Sequence, residues 1–246
     1  MFDYDDIENK IIDVLKKYLK CELSKTDSVS ILFSGGIDST ILAKMSSEIV
    51  NVKLYTVALP GSHDELWSCY VAKKLGMNHH LIVPDKKEIN DSISHILDKF
   101  SNMNMNLISI SVETVMYIGM MHMEEEIVVS GQGADELFGG YNRYKNMAVK
   151  EFEKNSKKDY EMIFNTITRW DQLISKDLDK KIIYPYIYSE LASLDIPYNF
   201  KFNNGINKYV LRSVATKLGI PEDISFKGKK AAQYSSGIYK MAKRAH

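Results

Sequence analysis

Val29-Ser30-Ile31-Leu32-Phe33-Ser34-Gly35-Gly36-Ile37-Asp38-Ser39-Thr40 reads as a buried strand that runs directly into a glycine turn. A short apolar run closed by a turn is the pattern of a strand covered on both faces. Beyond the turn, Ile41, Leu42, Met45 and Ile49 recur at helical spacing, which predicts a helix from Ser39 to Val50. Gly35 and Gly36 allow backbone amides to converge on an oxyanion, and the helix that follows turns the positive end of its dipole toward it. Ser34, Ser39 and Thr40 add hydroxyl donors. Asp38 makes sense beside an anion only with a cation between them, so it is expected to help hold Mg²⁺. The stretch is not a Walker A loop, which needs a Lys-Ser/Thr pair after its last glycine.

The same grammar recurs downstream. Ile127-Val128-Val129-Ser130 is a second apolar run, and Gly131-Gln132-Gly133-Ala134-Asp135 follows it. Asp135 stands at the start of its own helix, as Asp38 does. Strands are also predicted over Val52 to Leu59 and His79 to Val83. Helices are predicted over Asp3 to Leu23, Asp64 to Leu75 with Gly76 closing it, Lys86 to Phe100 and Ser109 to Met123. This alternation implies an α/β fold: a parallel sheet of about five strands with helices on both faces. Such sheets bind ligands beyond the carboxyl ends of their strands, where strand order reverses. From Ala134 onward strand signals nearly vanish; Lys145 to Arg169, Asn204 to Leu218 and Gly237 to Ala245 look helical, separated by Pro185, Pro197 and Pro221. The chain therefore reads as one domain over 1–246, with an N-terminal helix (1–25), a nucleotide-binding α/β part (26–145) and a helical C-terminal part (146–246).

Composition narrows the classes. With 246 residues, 45% of them hydrophobic, the chain can bury a sizeable core without disulfides. Thirty-two basic residues balance 32 acidic ones, and this neutrality argues against a protein built to grip nucleic acid. Lys227, Lys229 and Lys230 form a local basic patch. Cys21 and Cys69 match no metal or redox spacing and fit reduced thiols in a cytoplasmic protein. No segment has the length of a membrane span or the form of a signal peptide. His79 and His80 are adjacent and face opposite ways on a strand, so a structural pair is expected. Glu124-Glu125-Glu126 reads as a solvated helix end.

SGGIDST (Ser34 to Thr40) resembles the PP-loop of N-type ATP pyrophosphatases. Taken with SGQGADELFGGY (Ser130 to Tyr141), it is similar to the synthetase domain of the asparagine synthetase family. LYTVALPGSHD, the His79-His80 pair, KYVLRSVATKLGIP and KGKKAAQYSSG follow in the family's order, from about Ser28 to Met241. The resemblance implies a PP-loop ATPase fold and an ATP- and Mg²⁺-dependent ligase. Such an enzyme releases AMP, adenylates a substrate carboxylate and passes it to ammonia or an amine. It also implies that Phe33, Val57, Ser130 and Gly131 line the ATP site and that Ser34, Gly35, Gly36, Asp38 and Ser39 hold pyrophosphate. Asp38 and Asp135 would ligate the metal. Lys230 would steady the transferring phosphate, or Lys229 in its place, because the family's spacing shifts by one residue here.

Two departures bear on the chemistry. Family asparagine synthetases begin with a catalytic cysteine on a glutaminase domain, and this chain begins Met1-Phe2. It is therefore expected to use free ammonia, another amine or a separate glutaminase subunit. Gln132 stands where the family turn carries a glutamate; an amide cannot act as a base near neutral pH, though it can orient a nucleophile. KKIIYPYIY (Lys180 to Tyr188) also lacks the family's Glu-Ala-Arg. A tRNA-modifying PP-loop enzyme and a nucleotide-binding protein without catalysis stay open as alternatives, as does a homodimer.

Overall fold

The computed structural model describes residues 4–102, 105–145, 147–228, 236–239 and 243. The first half alternates as the sequence predicts: α1 (Tyr4–Leu23), β1 (Ser28–Leu32), α2 (Ile37–Ser46), β2 (Asn51–Val57), α3 (His63–Leu75), β3 (Asn78–Ile82), α4 (Lys86–Lys99), α5 (Leu107–Met121) and β4 (Ile127–Val129). A short helix α6 (Ala134–Phe138) follows the second glycine turn, and α7 (Val149–Met162) runs through a π-helical turn (Ile163–Ile167) into α8 (Thr168–Asp177). Then come β5 (Lys181–Ile183), α9 (Ser189–Ala192), α10 (Tyr198–Lys201), the hairpin β6 (Phe202–Asn203) and β7 (Ile206–Asn207), α11 (Tyr209–Lys217) and α12 (Glu222–Ser225).

The five long-range strands pair in parallel in the order β3-β2-β1-β4-β5. The chain builds outward from β1 in one direction, then returns to place β4 and β5 on its other side. The reversal lies between β1 and β4, whose register sets Ser30 opposite Val128 and Ile31 opposite Val129. Both glycine turns leave the sheet at that point. The period-two pleat divides the core. Ile127, Val129 and Ile183 pack with α1, α2 and α11 on one face, whereas Val128 and Ile182 pack with α4, α5 and α8 on the other. Helices cover both faces, as expected.

Several boundaries differ from the sequence reading for local reasons. Helix α2 starts at Ile37 instead of Ser39 because Gly36, extended at φ −67° and ψ 154°, serves directly as its N-cap. Helix α5 starts two residues early because the Asn106 side chain caps it, accepting the Ser109 amide at 2.9 Å. Gly76 adopts φ 64° and ends α3 as predicted. Strand β5 lies in a stretch read as having almost no strand signal. The helix expected over Asn204 to Leu218 is a hairpin followed by the shorter α11, and the helix expected over Gly237 to Ala245 falls mostly outside the described residues. The Glu124 to Glu126 reading needs correction. Glu125 is buried beneath the sheet, where it accepts from Ser30 Oγ at 2.5 Å and pairs with Lys53 at 2.7 Å. His79 and His80 do form a structural pair: the ring of His79 bonds Thr56 Oγ1 at 2.8 Å, and that of His80 stacks on Tyr55. No helix among the described residues is long and apolar enough to cross a membrane.

Candidate active site

The first turn is braced from three sides. Phe33 donates its amide to Tyr55 at 2.8 Å, which extends the sheet pairing one residue past β1, and its carbonyl accepts the Thr56 hydroxyl. Gly35 lies at φ 71°, and its carbonyl accepts Trp67 Nε1 at 2.9 Å. A β-carbon at Gly35 would meet the indole edge at 2.9 Å, so backbone conformation and the neighbouring ring both require glycine. The opening turn of α2 carries no side-chain cap. Its first amides are therefore left to face the mouth of the turn. Ser39 Oγ and Thr40 Oγ1 both bond back to the Gly36 carbonyl, at 3.2 and 2.8 Å. Thr40 is fully buried. Through that bond its hydroxyl supports the turn from behind.

The second turn abuts the first. A β-carbon placed on Gly131 would stand 3.4 Å from the Cβ of Asp38 and 3.5 Å from the amide nitrogen of Ser39. Phe33, Val57 and Ser130 are buried beside these turns, where they can offer a ligand backbone and surface more than side-chain polar groups. Asp38 and Asp135 then converge. Lys208 Nζ lies 2.6 Å from both carboxylate oxygens of Asp38 and 2.6 Å from Asp135 Oδ1. Burial works against the Lys208 charge, but Asp135 and Asp38 outweigh it and hold the ammonium above its usual value. Lys208 arrives from the C-terminal part on a left-handed residue (φ 56°) that caps α11. Asn207 Nδ2 fixes the approach by donating to the Gly140 carbonyl at 2.5 Å, while Arg212 Nε holds the Asn207 carbonyl at 2.8 Å. Gly140 is needed there because an added β-carbon would overlap the Asp135 carboxylate and the Lys208 stem.

Mg²⁺ fits this donor set. Two hard carboxylates already share one point cation, and both are partly open to solvent, at 17% and 19% exposure. Mg²⁺ is typically bound through one or two carboxylates completed by phosphate oxygens and water. The ammonium of Lys208 holds the place of a cation between them.

Gln132 points away from this cluster. Its amide nitrogen donates to Asp171 Oδ2 at 2.9 Å. Asp171 also accepts the Tyr184 hydroxyl at 3.1 Å and lies against Glu113, both carboxyls being buried. Lys229 and Lys230 lie outside the described residues. Lys227, just before them, sits 4.8 Å over the ring of Trp67, the residue that braces Gly35, and its carbonyl accepts from Arg212 Nη1 at 2.9 Å. Farther on, the Ser236 carbonyl accepts the Leu59 amide at 2.9 Å, which returns the chain to the end of β2.

Sequence reasoning passed over Lys208, Trp67, Tyr186 (whose hydroxyl donates to the Asp38 carbonyl at 3.1 Å), Asp171 and Glu113. Lys208 had a signal, as the first residue of the KYVLR segment. Asp171 and Glu113 had none, because a charged residue on an amphipathic helix reads as solvated.

The asparagine synthase family model matches residues 10–180. The chain belongs to the asparagine synthase family. A protein of Methanocaldococcus jannaschii named as a glutamine-hydrolyzing asparagine synthetase is 28% identical over 98% of this chain and 52% of its own length. The glutamine-hydrolyzing asparagine synthetase of Gallus gallus is 24% identical over 98% of this chain and 45% of its own. The chain thus spans about half the length of the curated relatives it matches. The solved NMN synthetase from Francisella tularensis superposes with a TM-score of 0.49 at 13% identity, covering 100% of this chain and 95% of that one.

Proposed function

We propose that this family member is an AMP-forming ligase that adenylates a substrate carboxylate and transfers the acyl group to ammonia or an amine. The observation that carries the reading is the meeting of two strand-end turns, each with an aspartate, around one cation position at the sheet's reversal point. A carboxylate oxygen of the acid attacks the α-phosphorus of ATP, the bond to the bridging oxygen breaks, and its electron pair leaves with pyrophosphate. Ser34, Gly35, Gly36 and Ser39 receive the pyrophosphate through the turn and the opening amides of α2. Mg²⁺, when bound by Asp38 and Asp135, would neutralise the charge that builds on that leaving group. Lys230 or Lys229 would steady the charge on the transferring phosphate. The nitrogen lone pair then forms the C–N bond, the C–O bond to the phosphate breaks, and AMP leaves with the electron pair.

The nitrogen would come as free ammonia, as an amine, or from a separate glutaminase. The test is acid-dependent exchange of labelled pyrophosphate into ATP, with AMP as the nucleotide product. ADP in its place would defeat the reading. Asp135→Asn should reduce this exchange by at least about a hundredfold, as expected when a charge that stabilises the leaving group is removed.

A further inference from the structure

Adenylation makes no use of the two carboxyls buried behind Gln132. Glu113, on α5, is 1% exposed, and Asp171, on α8, is 0% exposed. Glu113 Oε2 and Asp171 Oδ1 have no donor among the described residues, although the two carboxyls lie in hydrogen-bonding contact. Two ionised carboxylates at that depth would repel each other and leave both oxygens unsatisfied. One shared proton cures both faults. Burial pushes both groups upward, and because Asp171 already accepts from Gln132 and Tyr184 whereas Glu113 Oε2 has no donor among the described residues, the shared proton resides on Glu113 and is donated to Asp171.

Asp171 is then the acceptor at the centre of the cluster. It receives Gln132 Nε2 at 2.9 Å and the Tyr184 hydroxyl at 3.1 Å, both through Oδ2, which leaves Oδ1 for the Glu113 proton. An ionised carboxylate only accepts, so it fixes which end of the Gln132 amide faces inward. The amide nitrogen is held inside, and the carbonyl oxygen is turned away from Asp171. Gln132 itself belongs to the second turn, between Gly131, which touches Asp38, and Gly133, which leads into the helix of Asp135.

We propose that Asp171, hydrogen-bonded by Glu113, Tyr184 and Gln132, is a positioning residue for nitrogen transfer: it locks Gln132 so that its carbonyl oxygen accepts an N–H of the incoming nucleophile. The inference rests on the ligase reading and assigns the second half-reaction to this cluster. Gln132 orients the nitrogen and takes no proton from it. The nucleophile therefore arrives as the free base, and the proton released on C–N formation passes to the departing AMP phosphate or to water. A nitrogen donor that is largely neutral near pH 7, such as hydroxylamine, is accordingly favoured over ammonium.

The two half-reactions separate the roles. Acid-dependent pyrophosphate exchange reads adenylation; amide or hydroxamate formation reads nitrogen transfer. In Asp171→Asn, whose side chain can donate to Gln132 and turn the amide over, exchange stays within about twofold of wild type. Nitrogen transfer falls about ten- to a hundredfold, mainly through a raised KM for the nitrogen donor, as expected when a reacting group is misaligned. Gln132→Leu, at a half-exposed position less prone to misfolding, shows the same split. Glu113→Gln, whose amide still donates to Asp171, restores transfer to within about threefold, whereas Glu113→Leu does not. Exchange and transfer falling together in these variants, or transfer unchanged in Gln132→Leu, would overturn the assignment. Exchange absent from the wild type would instead sink the ligase reading beneath it.

Discussion

At the scale of single residues, Lys208 concentrates the electrostatics of the site. Its ammonium is buried and satisfied by two aspartates. Removing the charge leaves those two carboxylates, each partly open to solvent, facing each other without a counterion, a cost of about 2 kcal/mol that lies between those of exposed and buried pairs. Lys208→Met should therefore melt at lower temperature in metal-free buffer and be rescued by millimolar Mg²⁺, whereas the wild type gains little from Mg²⁺ alone; thermal melts with and without the ion check this. Glu113 gives a second expectation. An unfolded glutamate loses its proton near its ordinary value of 4.5, while burial and Asp171 hold the folded group well above it. Above that lower value the folded state retains more protons than the unfolded one, so the group's contribution makes stability fall as pH rises. Glu113→Gln removes this slope, and urea midpoints measured between about pH 5 and pH 8 should decline less steeply than in the wild type. Asp38 and Asp135 were legible because each follows a strand and a glycine turn. Lys208 could be noticed only as the first residue of the KYVLR segment, because its role depends on a contact 170 residues away in sequence.

At the scale of elements, the strands that carry the glycine turns are anchored at the opposite end too. Ser30 and Lys53, from β1 and β2, converge on Glu125, which lies just before β4. Burial pushes the Glu125 carboxyl up, but the bonds from Lys53 and Ser30 prevail and hold it down to about 2. Its contribution to stability is therefore present above the ordinary glutamate value and disappears as pH falls toward 2. Glu125→Gln keeps the shape and removes the charge, so it should destabilise the fold by about 2 kcal/mol at neutral pH and much less near pH 3. Chemical denaturation at the two pH values distinguishes this from a solvated glutamate, which would show no change at either. Strands β1 to β4 were readable as apolar runs bounded by turns. Strand β5 was not, because Lys181-Ile182-Ile183 is too short to show a period and is defined by its pairing with Ile127, Val128 and Val129. Glu125 was misread for a related reason: three consecutive glutamates look solvated until Lys53 and Ser30 are placed beside the middle one.

At the scale of the whole molecule, the site joins segments that have no local reason to meet. Residues 34–39 come from β1 and α2, residues 130–135 from β4 and α6, and Lys208 from the start of α11. One hydrophobic cluster runs beneath all of them, from Ile11 and Leu15 of α1 through Ile41 and Leu42 of α2 to Val210, Leu211 and Val214 of α11. Arg212 extends the link by holding the carbonyls of Ser225 and Lys227 at 2.8 and 2.9 Å, which ties the chain beyond α12 to the same helix as far as Lys227. A ligand that bridges Asp38, Asp135 and the first turn therefore ties β1 and β4 together across the sheet's reversal point, above the aspartates that Lys208 already joins to the C-terminal part. Binding to the folded state alone stabilises by RT ln(1 + [L]/Kd), about 2.7 kcal/mol at a hundredfold excess over Kd. MgATP should thus raise the melting temperature by several degrees, whereas Mg²⁺ or a non-hydrolysable nucleotide without metal should raise it less, because neither completes the bridge. In Arg212→Leu, which frees the carbonyls of Asn207, Ser225 and Lys227 and so loosens both Lys208 and the chain beyond α12, the MgATP shift should shrink even after correction for the lower starting stability. Equal shifts in that variant and the wild type would mean that the C-terminal segment takes no part in holding the nucleotide.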